Sequence, residues 1–343
     1  MPLALSLIFK GVDVMAQRHE ILSDNIASLQ VVAGDDWLSP PITMLHGGDP
    51  INVSFDDLTH EYRRYAYRLE HCEADWSVST ELFASDFCEG FNEDNIIDDV
   101  TESINTNTLY THYRLQIPNE NCKIKMSGNY KLTVYDENTG EEVMNACFMV
   151  VDPKVNVRLG VTSNTDIDTN KSHQQVNMDL NFSGIKVNRF DDEIKTVVMQ
   201  NGRWDNAVLN ATPQYVTADA ASWNHNKALI FNAGNEYRKF ETLDVTHTTM
   251  GIESVEWDGK DYHANVWTDE PRTNYVYDED ANGAFYIRNS DNRENDVTTE
   301  YVIVNFRLKA NRQNNDIFIN ANWTNDRFLD RYKMVYDSAT ELY

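Results

Sequence analysis

The residue types best suited to chemistry gather in two short stretches, Gln200-Asn-Gly-Arg-Trp-Asp205 and Phe231-Asn-Ala-Gly-Asn-Glu-Tyr-Arg-Lys-Phe240. In the second, the residues after Gly234 read as an extended run. Glu236, Arg238 and Phe240 then share one face, with Tyr237 and Lys239 on the other. Gly234 takes positive φ at little cost and suits a bulge or sharp strand entry. A carboxylate and a guanidinium two residues apart read first as an ion pair on a half-buried sheet face, and second as a ligand site. The first stretch reads as a strand end and a turn. Its Arg203 stacks on an aromatic or pairs with Asp205 or Glu236. Local polar bonding is its plain role and a partner-binding tip its sharper one. The candidate interface residues are Gln200, Asn201, Arg203, Trp204, Asn235, Glu236 and Arg238.

Other constellations are weaker. His71-Cys-Glu-Ala-Asp-Trp76, with Cys88 downstream, holds soft metal ligands but no Cys-x-x-Cys and no second His at ligand spacing. It reads as a strand end, a capped turn and a buried Trp. Asp280, Asn282 and Gly283 echo a calcium loop, yet position twelve, counted from Asp278, is Asn289 rather than an acid. Nucleophile elbows and Gly-rich phosphate loops are missing from the sequence. Carboxylate pairs cannot be picked from 55 acidic residues, so a glycan-hydrolysing or glycan-binding β-sandwich stays open as the alternative. No catalytic, metal or cofactor-binding residue is assigned, and the chain reads as a non-enzyme without a cofactor. Cys72, Cys88, Cys122 and Cys147 all lie in the first 150 residues. An oxidising compartment would permit disulfides in any of three pairings; buried thiols are the simpler reading.

The elements that must carry these residues are strands. Ile51-Asn-Val-Ser-Phe alternates, as do Tyr65, Tyr67, Leu69 and His71 against Arg64, Ala66, Arg68 and Glu70. Trp76–Thr106 is acidic and irregular and reads as a long surface connection. Asn129–Tyr135 and Val143–Val151 flank a hairpin loop, and Ile252–Trp257 and His263–Thr268 flank Asp258-Gly259. Val155–Val161 and Val176–Phe182 alternate, Ile194–Met199 reads as buried, and Tyr301–Leu308 reads as a strong strand. No segment sustains the 3.6-residue period of a helix. The class is all-β, with tandem antiparallel β-sandwich domains of immunoglobulin-like type. Asp152-Pro153 marks a boundary. The expected division is 1–20 as a weak secretory signal or disordered N-terminus, 21–152 as the first sandwich, 153–310 as the second, and 311–343 as the start of a third unit.

Length and charge narrow the partners. A chain of 343 residues exceeds what one core usually serves. The formal net charge of −26 repels phosphate backbones and anionic headgroups, which argues against nucleic acid and peripheral membrane docking. No apolar run reaches the roughly 20 residues of a membrane-spanning helix.

Several short stretches, taken in order, carry a family resemblance. They are Val53–Leu58, His71–Trp76, Tyr110–Tyr113 through Pro118-Asn119, Ser127–Tyr130, Gln200–Asp205, Ala233–Arg238, Asp280–Gly283 and Tyr301–Phe306. The chain resembles the plug proteins of the type 9 secretion system of Bacteroidetes-type bacteria. The family pattern has Phe where Tyr237 stands and Arg-Phe where Cys147-Phe148 stands. It also implies a third unit longer than the one ending at Tyr343. The resemblance implies a periplasmic, non-enzymatic protein associated with the outer membrane. Its partner would be the outer-membrane translocon barrel, which it would occlude when no cargo is engaged.

Overall fold

A computed structural model describes residues 19–234, 236–272 and 274–343. Most of the expected leader, and Asn235 among the candidate interface residues, lie outside the described residues. The protein is all-β, as its alternating runs require.

Two sheets enclose the first and largest core. One follows the order Glu20–Ile21, Glu142–Val151, Gly128–Asp136, Tyr65–Cys72, Asn95–Ile96, with Ile42–Met44 added parallel to Glu142–Val151. The other follows Ile26–Ala33, Ile51–Asp57, Thr111–Ile117, Asp99–Glu102. The period-2 pattern decides the faces. Ile51, Val53 and Phe55 are all but inaccessible, while Asn52 and Ser54 turn outward. Aromatic rings then meet across the strands. Phe55 pairs with Tyr113 and stacks on it at 5.1 Å, and Tyr130 pairs with Phe148 and stacks at 5.3 Å. Tyr65 meets Tyr113 edge-on at 5.0 Å. Each such pair adds about 0.5–1.5 kcal/mol beyond its buried area. The hydroxyls are placed as well: Tyr65 donates to the fully buried Asp57 carboxylate at 2.8 Å, and Tyr113 donates to the Arg63 carbonyl at 2.9 Å.

A second core lies under a sheet ordered Asn156–Thr162, His173–Asn181, Ala220–Trp223, Tyr215–Val216, with Ile230–Asn232 also pairing His173–Asn181. Val176, Met178, Leu180, Phe182, Trp223 and Leu229 fill it. The Trp223 indole N–H donates to the Ala211 carbonyl at 2.6 Å, so the buried ring leaves no polar debt. The outer strand is different. Val157, Leu159 and Val161 pair with Leu180, Met178 and Val176 and so share their face, yet remain 56–65% exposed. The core covers the second strand of this sheet and stops short of the first.

The remaining chain makes smaller units. Ile252–Trp257 pairs antiparallel with Tyr262–Val266, which pairs parallel with Ile303–Asn305. Ile317–Phe318 pairs with Lys333–Met334. Phe240, Phe285 and Trp323 pack edge-on between them, with Phe306 against Phe240.

Four expectations need correction. Trp76–Thr106 is not a plain surface connection. It carries the helix Ala84–Phe87 and the strands Cys88–Gly90, Asn95–Ile96 and Asp99–Glu102, and it buries Phe87, Cys88 and Ile97. Its acidic residues masked the short apolar anchors between them. Ile194–Met199 buries only Val198 below a tenth exposure, and Lys195 and Val197 face outward. Tyr301–Leu308 is a strand only over Ile303–Asn305, because Tyr301 and Arg307 are drawn into side-chain bonds off the sheet. The described residues around Gly234, from Ala233 to Phe240, form no strand, and Gly234 does not adopt positive φ.

Candidate functional site

The Gln200–Asp205 stretch closes as a tight turn. Asn201 and Gly202 both take positive φ, 56° and 69°, and the Arg203 N–H donates back to the Gln200 carbonyl at 3.2 Å. Asn and Gly are the residues that accept this region most cheaply. Arg203 grips Asp205 with two bonds, Nε to Oδ1 at 2.9 Å and an Nη to Oδ2 at 2.5 Å. That pairing raises the guanidinium pKa further. Of the three partners open to Arg203, the fold selects Asp205. Gln200 donates to the Asn232 carbonyl at 3.0 Å and ties the turn to the Ile230–Asn232 strand.

Glu236 and Arg238 do not pair with each other. Because the segment is not extended as a strand, the two side chains leave it toward different neighbours. Glu236 accepts from the Tyr275 hydroxyl at 2.5 Å. Arg238 holds Asp269 with Nε at 2.6 Å and an Nη at 2.5 Å, and donates to the Glu270 carbonyl at 3.0 Å. Neither residue bonds to the Gln200–Asp205 turn. Tyr237 does the bridging instead. It lies in the field of Arg203, Asp205, Asp280 and Asp326, and burial pushes its phenol pKa up. Its backbone N–H donates to the Asp280 carboxylate. Burial likewise raises the Asp326 carboxyl. Gly283 belongs to the same corner: at φ 84°, a Cβ there would meet the Tyr237 ring at 3.1 Å.

Trp204 points the other way and meets Trp76 edge-on at 6.1 Å, beside Cys72 and Cys147. The turn thus lies between the first and second cores and touches both. Asn201 alone of its named candidates is largely exposed, with Gln200, Arg203 and Trp204 half-buried.

A second joint escaped the residue-by-residue reading. The Tyr301 hydroxyl donates to Asp56 Oδ2 at 2.6 Å and lies 2.7 Å from Ser28 Oγ. His112 Nδ1 lies 2.6 Å from Asp56 Oδ1. Asp56 and His112 are both 2% exposed. Burial first, then the Asp56 charge, pushes the Tyr301 phenol far up, so it stays a donor. Around it, Tyr110 donates to the Thr299 carbonyl at 3.0 Å, Gln30 to the Phe285 carbonyl at 2.6 Å, and Ile104 N–H to the Val297 carbonyl at 2.7 Å. These bonds seat residues 285–301 on the outer face of the Ile51–Asp57 sheet.

The sequence does carry a signal for this joint. Asp56, His112 and Tyr301 sit in three of the stretches that carry the family resemblance. Trp76 and Trp204 sit in two more, and Tyr237 and Asp280 in another two. The stretches converge in space, and what they build is contact between sheets. Chemically these arrangements can hold, orient and rigidify. Among the described residues no group of three or more His, Cys, Asp or Glu side chains is placed to hold a metal ion. One surface depression of about 480 Å³, lined by Arg158, Asp179, Asn181, Tyr215 and Ser222 among others, contains a single carboxylate, and Asp179 already accepts from Ser222 at 2.7 Å. No helix among the described residues is long and apolar enough to cross a membrane.

The class defined by these features is an all-β protein of several sheets fastened by aromatic and buried polar joints. Comparison with known proteins makes this specific. The family model for the first domain of the type 9 secretion system plug protein matches residues 26–152. A crystal structure of a hypothetical protein from Parabacteroides merdae ATCC 43184 superimposes with a TM-score of 0.91 at 37% identity, covering 96% of this chain and 83% of that one. No curated protein matches the chain. The chain belongs to the type 9 secretion system plug protein family.

Proposed function

We propose that this chain is a non-enzymatic periplasmic plug subunit, associated with the outer membrane, that docks on the translocon barrel of the type 9 secretion system and occludes it. The observation that carries the reading is the plug family match over residues 26–152. The joints support it physically. A plug must cover a wide opening without deforming, and buried bonds such as Tyr301 to Asp56 resist relative movement of the sheets. The division at 152/153 and 310/311 belongs to this reading, with the joints bridging its parts.

Occlusion must also be reversible. Docking free energy has to stay modest against that of the cargo-bound state, since a population shift needs a difference in affinity. A net charge of −26 steers the protein toward a cationic rim and makes association sensitive to salt. The glycan-hydrolase alternative needs two facing carboxylates, and the depression beside Tyr215 offers Asp179 alone. The test is recovery of the outer-membrane translocon with tagged protein from envelope extracts, joined to envelope permeability. Deletion should admit a bulky antibiotic. A pull-down that fails to recover the translocon, or a deletion strain as tight as its parent, overturns the reading.

A further inference from the structure

Cys88 and Cys122 open two short strands, Cys88–Gly90 and Cys122–Ile124, that pair antiparallel with Cys122 opposite Gly90 and Ile124 opposite Cys88. Both side chains enter the first core, at 3% and 0% exposure, and their sulfurs lie 2.8 Å apart. No third cysteine shares their cluster: Cys72 and Cys147 belong to the separate group around Trp76. Those two sit on Tyr65–Cys72 and Glu142–Val151, with the whole Gly128–Asp136 strand between them. Two strand spacings amount to about 9–10 Å, beyond the reach of a bridge. Of the three pairings four cysteines allow, the fold leaves one bond to make.

We propose that Cys88 and Cys122 are a redox pair that closes into a structural disulfide as the chain folds in the envelope. The oxidant is a disulfide of a dithiol oxidoreductase, or glutathione disulfide in the test tube. The first cysteine thiolate attacks one oxidant sulfur, forming a mixed disulfide and releasing one oxidant thiolate. The second cysteine thiolate then attacks the protein sulfur of that mixed disulfide and releases the other. Two electrons pass to the oxidant, and the two cysteine protons end on its two thiols. Burial, with the Cys88 sulfur alongside, pushes the Cys122 thiol pKa up. The thiolate is therefore formed before the strands close over it, which sets the chemistry in the folding chain. The choice of oxidant rests on the periplasmic reading; the choice of cysteines does not.

The test uses the full chain, reduced, unfolded and then refolded in a glutathione redox buffer, alkylated, and digested without reduction. The expected product is a Cys88–Cys122 linked peptide two hydrogens lighter than the sum of its parts and lost on reduction. The bond closes a span of 34 residues, so in the chain-entropy account oxidation should raise the folding equilibrium by roughly 10²–10³-fold. That gain should vanish in Cys88→Ala/Cys122→Ala. Recovery of both peptides separately alkylated from natively refolded protein, or linkage to Cys72 or Cys147 instead, overturns the pair. The same mapping on protein taken from cells separates the two readings. A bond made in the buffer but absent in cells overturns the envelope setting and leaves the pair standing.

Discussion

Replacing Tyr301 by Phe deletes one oxygen at the joint between the first core and the C-terminal part of the chain. The ring keeps its edge-on contact with Tyr110 at 5.2 Å, so apolar packing is conserved. What is lost is the 2.6 Å bond to Asp56 Oδ2, together with the 2.7 Å contact to Ser28 Oγ. His112 still serves the other oxygen, but Asp56 is 2% exposed and water cannot replace the missing donor. A hydrogen bond to a charged group contributes about 1.5–3 kcal/mol, and a buried acceptor left unmade costs a similar amount. The expected loss is about 2–3 kcal/mol, or a melting midpoint lower by roughly 5 °C or more for a large cooperative unit. Urea titration measures it directly. Because the bond is buried, the loss should be nearly independent of salt, unlike a surface pair. Combining Tyr301→Phe with Asp56→Asn should show a coupling of at least about 1 kcal/mol. A single-variant loss below about 0.5 kcal/mol, with no coupling, would refute the claim that this joint fastens the sheets.

The remaining expectations are simpler to state. Phe148→Ala, which empties a fully buried ring stacked on Tyr130, should lower stability by about 3–5 kcal/mol, read by denaturant titration. Arg238→Ala should cost under about 1 kcal/mol, because its pair with Asp269 is 40% and 39% exposed, and translocon recovery should be unchanged; unaltered melting with lost recovery would make Arg238 a contact residue. Acid should weaken the fold through His19. Its Nδ1 accepts the Cys147 N–H at 3.2 Å, and burial holds its pKa at about 4 against 6.5 when unfolded. Its stabilising contribution is thus whole above pH 6.5 and lost as pH falls toward 4. Allowing for its partial exposure, the loss is on the order of 2 kcal/mol. His19→Gln should flatten the stability profile across that window.

Where the sequence predicted well, the physics was local. Ile51–Asp57, Tyr65–Cys72 and the hairpin Gly128–Asp136 to Glu142–Val151 announce themselves because each has one buried face and a turn of fitting chemistry. The segment after Gly234 misled because its alternation is accidental. Its Glu236 and Arg238 side chains are claimed by Tyr275 and Asp269, and its Tyr237 backbone N–H by Asp280, residues far along the chain that no period reveals. The Asp56, His112 and Tyr301 joint was hidden for the same reason, since 245 positions separate the two ends of its central bond. Family motifs marked those positions without saying what they do. Only their meeting in space turned signatures into joints.

Trp76 stands at φ 67°, a left-handed conformation that a bulky residue adopts at a cost of about 1–3 kcal/mol. It is tolerated where the indole is packed, at 5% exposure, against Trp204. The two positions should therefore drift together through evolution. A relative that loses the ring at 204 is freed to carry Gly or Asn at 76, and one that keeps the ring at 76 is held to an aromatic at 204. Loss of the ring at 204 alone leaves the strained turn without its compensation, so this joint predicts correlated replacement across 128 positions.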